Sequence, residues 1–189
     1  MKTIHFASSN PEKILEVSQI LARMGIKAIA LKADLSEIRS EDQRQVAIGK
    51  AKTAHMLINK PVIAEDTGVY FSAYPSFPGV FPSFVFRSIG YGGILALLKG
   101  KKRGAYFKTI VAYFDGKSVR TFQGICRGKI TNAPDSPKFQ NPKLPYEAIF
   151  IPEGKKVRLS RMGKAQKNEF SHRAIAVRKF GDWFKKQLP

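Results

Sequence analysis

Two adjacent acids, Glu65 and Asp66, follow directly on the apolar run Pro61-Val62-Ile63-Ala64 and precede Thr67-Gly68-Val69-Tyr70. The apolar run reads as a buried strand that delivers two carboxylates to an edge. A sheet interior seldom accepts adjacent unpaired acids, because stripping an ionised carboxylate of water is costly. Such a pair faces a metal, a cation or a cleft, unless the acids belong to an ordinary turn in which they cap backbone groups. Whatever fold forms must therefore bury residues 62–64 and still leave a place for two charges immediately after them.

The surrounding pattern alternates between strand and helix. Residues 3–7 are β-rich and end at Ser8-Ser9-Asn10-Pro11, where Pro11 suits the first turn of a helix over residues 12–24. Ile14, Leu15, Val17, Ile20 and Leu21 recur at helical spacing. A second strand is predicted over 27–31, then a polar segment over 34–44, a helix to about Leu57 and a third strand over 62–64. This order predicts an α/β fold: a mixed central sheet with flanking helices and some parallel pairing. Beyond it come an aromatic and proline-rich loop over 74–82 and a short helix over 93–98. A hairpin is predicted over 105–113 and 118–126, joined at Asp115-Gly116-Lys117. Residues 132–145 have four prolines and no glycine and read as a loop. The last helix is predicted from an N-cap at Ser171 through Phe184, with Ala174, Ile175, Val177 and Phe180 inward.

At 189 residues and 43% apolar content, the chain suffices for one substantial core, and a single unit of two lobes without a linker is expected. No apolar run reaches the ~18 residues that a bilayer span needs, and Met1-Lys2 leads straight into a strand-like run. A soluble, cytoplasmic protein with no membrane partner is expected. Cys126 is the only cysteine and the three histidines are scattered, which disfavours a disulfide, a zinc site or a Cys/His nucleophile. Magnesium on carboxylates fits better. The net charge is +19 and is unevenly spread. Residues 1–75 hold ten Lys and Arg and eight Asp and Glu, net +2; residues 76–189 hold twenty-three and six, net +17. Such a field attracts nucleotide triphosphates, nucleic acid or acidic surfaces, or is simply a solvated basic surface.

Three constellations point to chemistry. Ser8, Ser9 and Asn10 stand at a helix N-terminus with Lys13 one turn in, which is either a plain capped helix start or a phosphate cradle, without the glycine run of a Walker loop. Glu37 lies in the connection after the second strand, where ligands gather in α/β sheets, so it can converge with Glu65 and Asp66 on one magnesium ion, with Lys50 in reach or on a solvated helix face. Lys167, His172 and Arg173 gather at the mouth of the last helix, where Arg173 can make a bidentate contact and His172 can donate or accept.

Taken in order, these segments resemble the inosine triphosphate pyrophosphatase, or HAM1-like, family. The resemblance runs over nearly the whole chain through Ser8-Ser9-Asn10-Pro11-Glu12-Lys13, Ser36-Glu37-Ile38, Ala47-Ile48-Gly49-Lys50-Ala51, Glu65-Asp66-Thr67-Gly68, Phe77-Pro78-Gly79-Val80, Ile149-Phe150-Ile151-Pro152 and Ser171-His172-Arg173. It implies an elongated α/β fold with a nucleotide cleft between two lobes, a homodimer, magnesium, and conversion of ITP, dITP or XTP to the monophosphate and pyrophosphate. Glu37 and Asp66 would hold the metal, and Asp66 would also orient or deprotonate the attacking water. Asn10, Lys13 and Lys50 would neutralise the triphosphate, with Ser8, Thr67 and Gly68 in the same binding stretches. Lys167, His172 and Arg173 would contact the base and its neighbouring phosphate, and a site that hydrogen-bonds a 6-keto group would disfavour adenine.

The chain departs from the family on the base side. In place of a glycine-rich turn followed by aromatic-Asp-Pro it reads Asn141-Pro142-Lys143-Leu144-Pro145-Tyr146-Glu147-Ala148. Tyr146 can still stack on a purine and Glu147 can approximate the missing Asp, one methylene further out. Arg39 stands where Gln is usual, and Ser160-Arg161-Met162 where Ala-Glu-Met is usual. The alternative function is a catalytically altered relative that binds nucleic acid or another polyanion through its basic second part, with steep salt dependence.

Overall fold

The computed structural model describes residues 1–33 and 40–187. Glu37, named above as a metal ligand, lies outside the described residues.

Strand β1 (Lys2–Ala7) enters helix α1 (Pro11–Arg23) through residues 8–10. The Asn10 side chain accepts from the amides of Glu12 and Lys13, and Pro11 fills the first turn, where a missing N–H costs nothing. β2 (Ile26–Leu31) and α2 (Gln43–Ile58) follow, the latter capped by the Asp42 carboxylate on the Arg44 amide. β1 runs parallel to β2 and to β3 (Val62–Phe71).

Among the strands, β3 departs furthest from the expected boundaries, running on to Phe71 instead of stopping at Ala64. β1 accompanies it only as far as Ala7 opposite Ala64, whereas β5 (Gly104–Phe114) pairs antiparallel along its whole other side. The short β4 (Pro78–Gly79) resumes the first side at Val69 and Tyr70. Between Ala64 and Val69, β3 has no described strand neighbour on the β1 side. Glu65 and Asp66 thus do reach an edge, but the edge is a gap inside the sheet and not the end of a strand.

β5 and β6 (Val119–Ile130) form the expected hairpin with longer arms, its turn closed by the Asp115 carboxylate accepting from the amides of Lys117 and Ser118. β7 (Phe150–Pro152) completes the order β2-β1-β3-β5-β6-β7. α3 (Pro82–Leu97) begins eleven residues before the predicted short helix and is kinked at Gly90, whose φ of 56° is open to glycine. α4 (Lys164–Phe170) is short and unforeseen. α5 (His172–Lys186) starts as expected, with the Ser171 hydroxyl accepting from the Ala174 amide.

Side-chain alternation along β3 sorts the core. On one face, Ile63 lies with Ile4, Phe6 and Val111 under α1 and α5, which contribute Val17, Leu21, Val177 and Phe180. On the other, Val62 and Ala64 lie with Ile110 and Ala112 under an alanine stripe of α2, Ala47, Ala51 and Ala54, whose small side chains let the helix close onto the sheet. Further along, Val69, Phe71, Phe107, Cys126 and Ile130 pack with Val85, Ile94, Tyr146, Ile149 and Phe150 into a second lobe. Fully burying side chains such as Phe6, Phe150 and Phe180 contributes roughly 1.5–3 kcal/mol each. The lobes meet where β3 loses its neighbour. No described helix is long and apolar enough to cross a membrane.

Candidate active site

A cleft of about 300 Å³ lies over the gap in β3. Ser8, Asn10, Lys13 and Lys50 form its first-lobe wall, and Pro82, Ser83 and residues 143–147 its second-lobe wall. Glu65, Thr67, Val69 and Phe107 floor it, with His172 and Arg173 at the start of α5. Eleven of the residues marked in the sequence, Ser9 among them, therefore share one hollow. Asp66, Gly68 and Lys167 do not line it. Asp66 and Lys167 stand one contact behind, through Lys50 and Glu147. Gly68 serves packing: a Cβ there would sit 2.6 Å from the Gly79 carbonyl oxygen.

The two adjacent acids part company. Successive strand residues project to opposite faces, so Glu65 turns to α1 and α5 while Asp66 turns to α2. Lys13 Nζ lies 2.7 Å from Glu65 Oε1, and Arg173 Nε donates to Glu65 Oε2 at 2.9 Å. Burial by itself would raise the Glu65 carboxyl, but the charges of Arg173 and Lys13 hold it well below the usual carboxylate range. Both Glu65 oxygens are engaged by cations and its side chain faces away from that of Asp66, so these two carboxylates do not converge; the third, Glu37, lies outside the described residues. Asp66 is different. Lys50 Nζ donates to its Oδ1 at 2.9 Å, whereas its Oδ2 is buried with no hydrogen-bond partner among the described residues. Gln43 steadies this point by donating to the carbonyls of Asp66 and Lys108, at 2.9 and 2.8 Å, while accepting from the Tyr70 hydroxyl.

An unpartnered buried carboxylate oxygen is costly unless something binds it, and a hard divalent cation takes such oxygens. The donor chemistry at Asp66 fits a metal. Among the described residues no group of three His, Cys, Asp or Glu side chains is arranged to hold one.

Glu16 was missed in the sequence, where it passes for a solvated helix residue. It is buried and pairs with Arg173 Nη1 and, at 3.5 Å, with Lys167 Nζ. Its signal was there: Glu16 stands on the stripe of Val17, Ile20 and Leu21, whereas Leu15, assigned to that stripe, is 41% exposed. Lys167 in turn holds Glu147, both oxygens at 3.0 Å. Burial raises the Glu147 carboxyl and Lys167 opposes it without cancelling the effect. Burial raises the energy of charging the Arg173 guanidinium too, but Glu65 and Glu16 more than offset it and keep the group ionised.

His172 stacks on Phe107 with ring centroids 4.9 Å apart. Burial, then the charge of Arg173, holds the ring well below its ordinary pKa, so it is neutral and can both donate and accept. Its Nδ1 has no partner among the described residues. Tyr146 is fixed by donating its hydroxyl to the Pro82 carbonyl at 3.0 Å, and Thr67 by a 2.6 Å contact with the Thr109 hydroxyl. At the other end, Asn10 Oδ1 already takes the Glu12 and Lys13 amides, so an anion there meets side chains more than the helix terminus itself. Phe107 and Ser83 line the cleft unforeseen, because nothing local marks a residue that becomes a wall only after folding, and Lys143 joins them from the base-side segment quoted above.

The Ham1 family model matches residues 4–183. A dITP/XTP pyrophosphatase of Thermococcus kodakarensis is 36% identical over 184 residues, covering 97% of this chain and 97% of its own length. The dITP/XTP pyrophosphatase of Saccharolobus solfataricus is also 36% identical, covering 93% and 90%. Among solved structures, a HAM1 protein from Coxiella burnetii superposes with a TM-score of 0.79 at 25% identity, over 98% of this chain and all of that one. The Staphylococcus aureus Ham1 protein does so at 0.77 and 25%, over 99% and 100%.

Proposed function

This chain belongs to the Ham1 family, and on that premise we propose that it hydrolyses noncanonical purine nucleoside triphosphates, dITP, XTP and ITP, to the monophosphate and pyrophosphate. The observation that carries the reading is the gap beside β3, where Lys13, Lys50 and Arg173 line one cleft of nucleotide size together with Glu65, and Asp66 stands directly behind Lys50.

The reaction is attack of water on the α-phosphorus with pyrophosphate leaving. It needs positioning and charge compensation more than covalent help. Ser8, Asn10 and Lys13 hold the phosphate chain. Lys50 fixes the Asp66 carboxylate, whose second oxygen accepts a proton from the attacking water or serves as a metal ligand. Magnesium fits this oxygen donor, with Glu37 as a further ligand; when bound it supplies charge neutralisation on the phosphates. Glu65, paired with Lys13 and Arg173, presets those two cations. On the base side, Tyr146 offers a ring face, and neutral His172 with Arg173 provides donors for a 6-keto oxygen, where the amino group of adenine would be left unpaired. Lys167 keeps Glu147 in place behind them.

A homodimer is the assembly expected from the resemblance, and Phe81 and Phe84, 47% and 63% exposed, offer apolar surface for it. The test of function is pyrophosphate release by the purified protein with magnesium across ITP, XTP, dITP and the four common triphosphates. Release from the first three well above the others is expected; no release from any would end the proposal.

A further inference from the structure

We propose that Lys143 is a specificity-determining residue of this cleft, its ammonium group reading the acceptor-rich edge of the purine so that xanthine nucleotides are preferred to hypoxanthine nucleotides. The inference rests on the pyrophosphatase reading and names the base that this particular site prefers.

Placement comes first. Lys143 lines the cleft on the segment that also presents Tyr146 and Glu147, the segment that the proposed reading sets against the base and not against the phosphate chain. Charge comes next. Of the cations lining the cleft, Lys13 is held by Glu65, Lys50 by Asp66, and Arg173 by Glu65 and Glu16. Lys143 is exposed, and its ammonium has no hydrogen bond or ion pair with any described residue. Its charge is thus available to a ligand without breaking an existing pair. The backbone beneath it is nevertheless fixed. The Asn141 side chain accepts from the Lys143 amide at 2.9 Å, the Leu144 amide donates to the Asn141 carbonyl at 2.9 Å, and the Tyr91 hydroxyl donates to the Pro145 carbonyl at 3.0 Å. Pro142 and Pro145 restrict φ on either side. A long stem rises from a held turn, with its end free to settle on a base.

An ammonium group has three donors and no acceptor, so it ranks purines by their acceptors. Hypoxanthine presents one exocyclic carbonyl, at C6, and a bare C–H at C2. Xanthine adds a carbonyl at C2 and loses a ring proton more readily, which gives it partial negative charge. Guanine carries a donor at C2, and adenine a donor at C6. A free lysine at the base end gains most from xanthine.

Lys143→Met keeps the stem and removes the charge. It is expected to lower kcat/KM for XTP roughly tenfold, the scale of one charge-assisted hydrogen bond, and that for ITP and dITP less than about threefold. The loss should appear in KM more than in kcat, with Lys143→Arg recovering most of it and the melting temperature unchanged. Calorimetric binding of XMP and IMP to wild type and Lys143→Met gives the same comparison without turnover: the XMP preference should shrink in the variant. An equal loss for xanthine and hypoxanthine nucleotides would overturn the inference by making Lys143 a phosphate contact, and no loss for either would make it a solvated surface charge. Wild-type protein that binds XMP better than IMP through Lys143 but hydrolyses nothing would sink the pyrophosphatase reading alone.

Discussion

Glu65 and Asp66 are neighbours in sequence with opposite duties, and the difference follows from strand alternation. Glu65 is surrounded by Lys13 and Arg173 and is almost wholly buried, so its charge is spent on holding two cations in register. Asp66 keeps one oxygen unengaged among the described residues. Asp66→Asn should lower kcat at least ~100-fold, through loss of a metal ligand and proton acceptor, while leaving the melting temperature within about 2 °C of wild type. Glu65→Gln should do the reverse in emphasis. Leaving Arg173 with one charged partner fewer in a dry site costs about 3–5 kcal/mol of stability, read as a lower midpoint in urea unfolding. Equal stability losses in the two variants would contradict this division of roles.

The starts of α1 and α5 and the turn of the hairpin were legible because their signals are local, whereas the start of α3 was not. Asn10-Pro11 and Ser171 cap α1 and α5 where expected, and Asp115-Gly116-Lys117 turns the hairpin. The extent of β3 was not legible, since two acids after an apolar run look like a strand end unless one knows that β1 stops at Ala7 and β5 does not. The partners of Glu16 and Glu65 on Arg173 lie 157 and 108 residues away, and no local pattern announces them. Close approach was equally hidden. A Cβ on Gly124 of β6 would fall 2.0 Å from the His172 carbonyl oxygen and 2.6 Å from the Ala176 amide nitrogen, so the first turn of α5 rests on bare backbone. Gly124→Ala should displace that turn, raising KM through His172 and Arg173 and lowering stability together; a variant with normal KM would show that the helix does not depend on this seat. The Ser160-Arg161 departure also acquires a purpose. Asp135 is buried and accepts from the Ser160 hydroxyl, the Ser136 amide and both Nε and Nη2 of Arg161, clasping the Leu159–Arg161 turn to the segment that leads to residues 143–147. Hydrogen bonds from Arg161, against the opposing effect of burial, hold the Asp135 carboxyl well below its usual range. A depressed carboxylate contributes stability above its unfolded pKa of about 3.9 and loses it as pH falls toward the folded value. Asp135→Asn should therefore lower the melting temperature at pH 7 and flatten its decline below pH ~4, measured by thermal unfolding across pH.

The chain's charge is divided along its length and not between the two lobes, since β5 and α5 pack with α1 and β1. Residues 1–75 are nearly neutral and residues 76–189 carry net +17, yet inside the cleft Lys13, Lys50 and Arg173 are matched by Glu65, Asp66 and Glu16. The field that a triphosphate meets from a distance thus arises mainly from cations outside the site. A peripheral field steers encounter without touching the chemical step, and it is screened beyond about 8 Å at physiological ionic strength. Raising salt from ~10 to ~200 mM at constant free magnesium should accordingly lower kcat/KM several-fold and leave kcat nearly unchanged. If kcat fell in parallel, the basic excess would be acting on bound substrate, and the balance of charges inside the cleft would have to be redrawn.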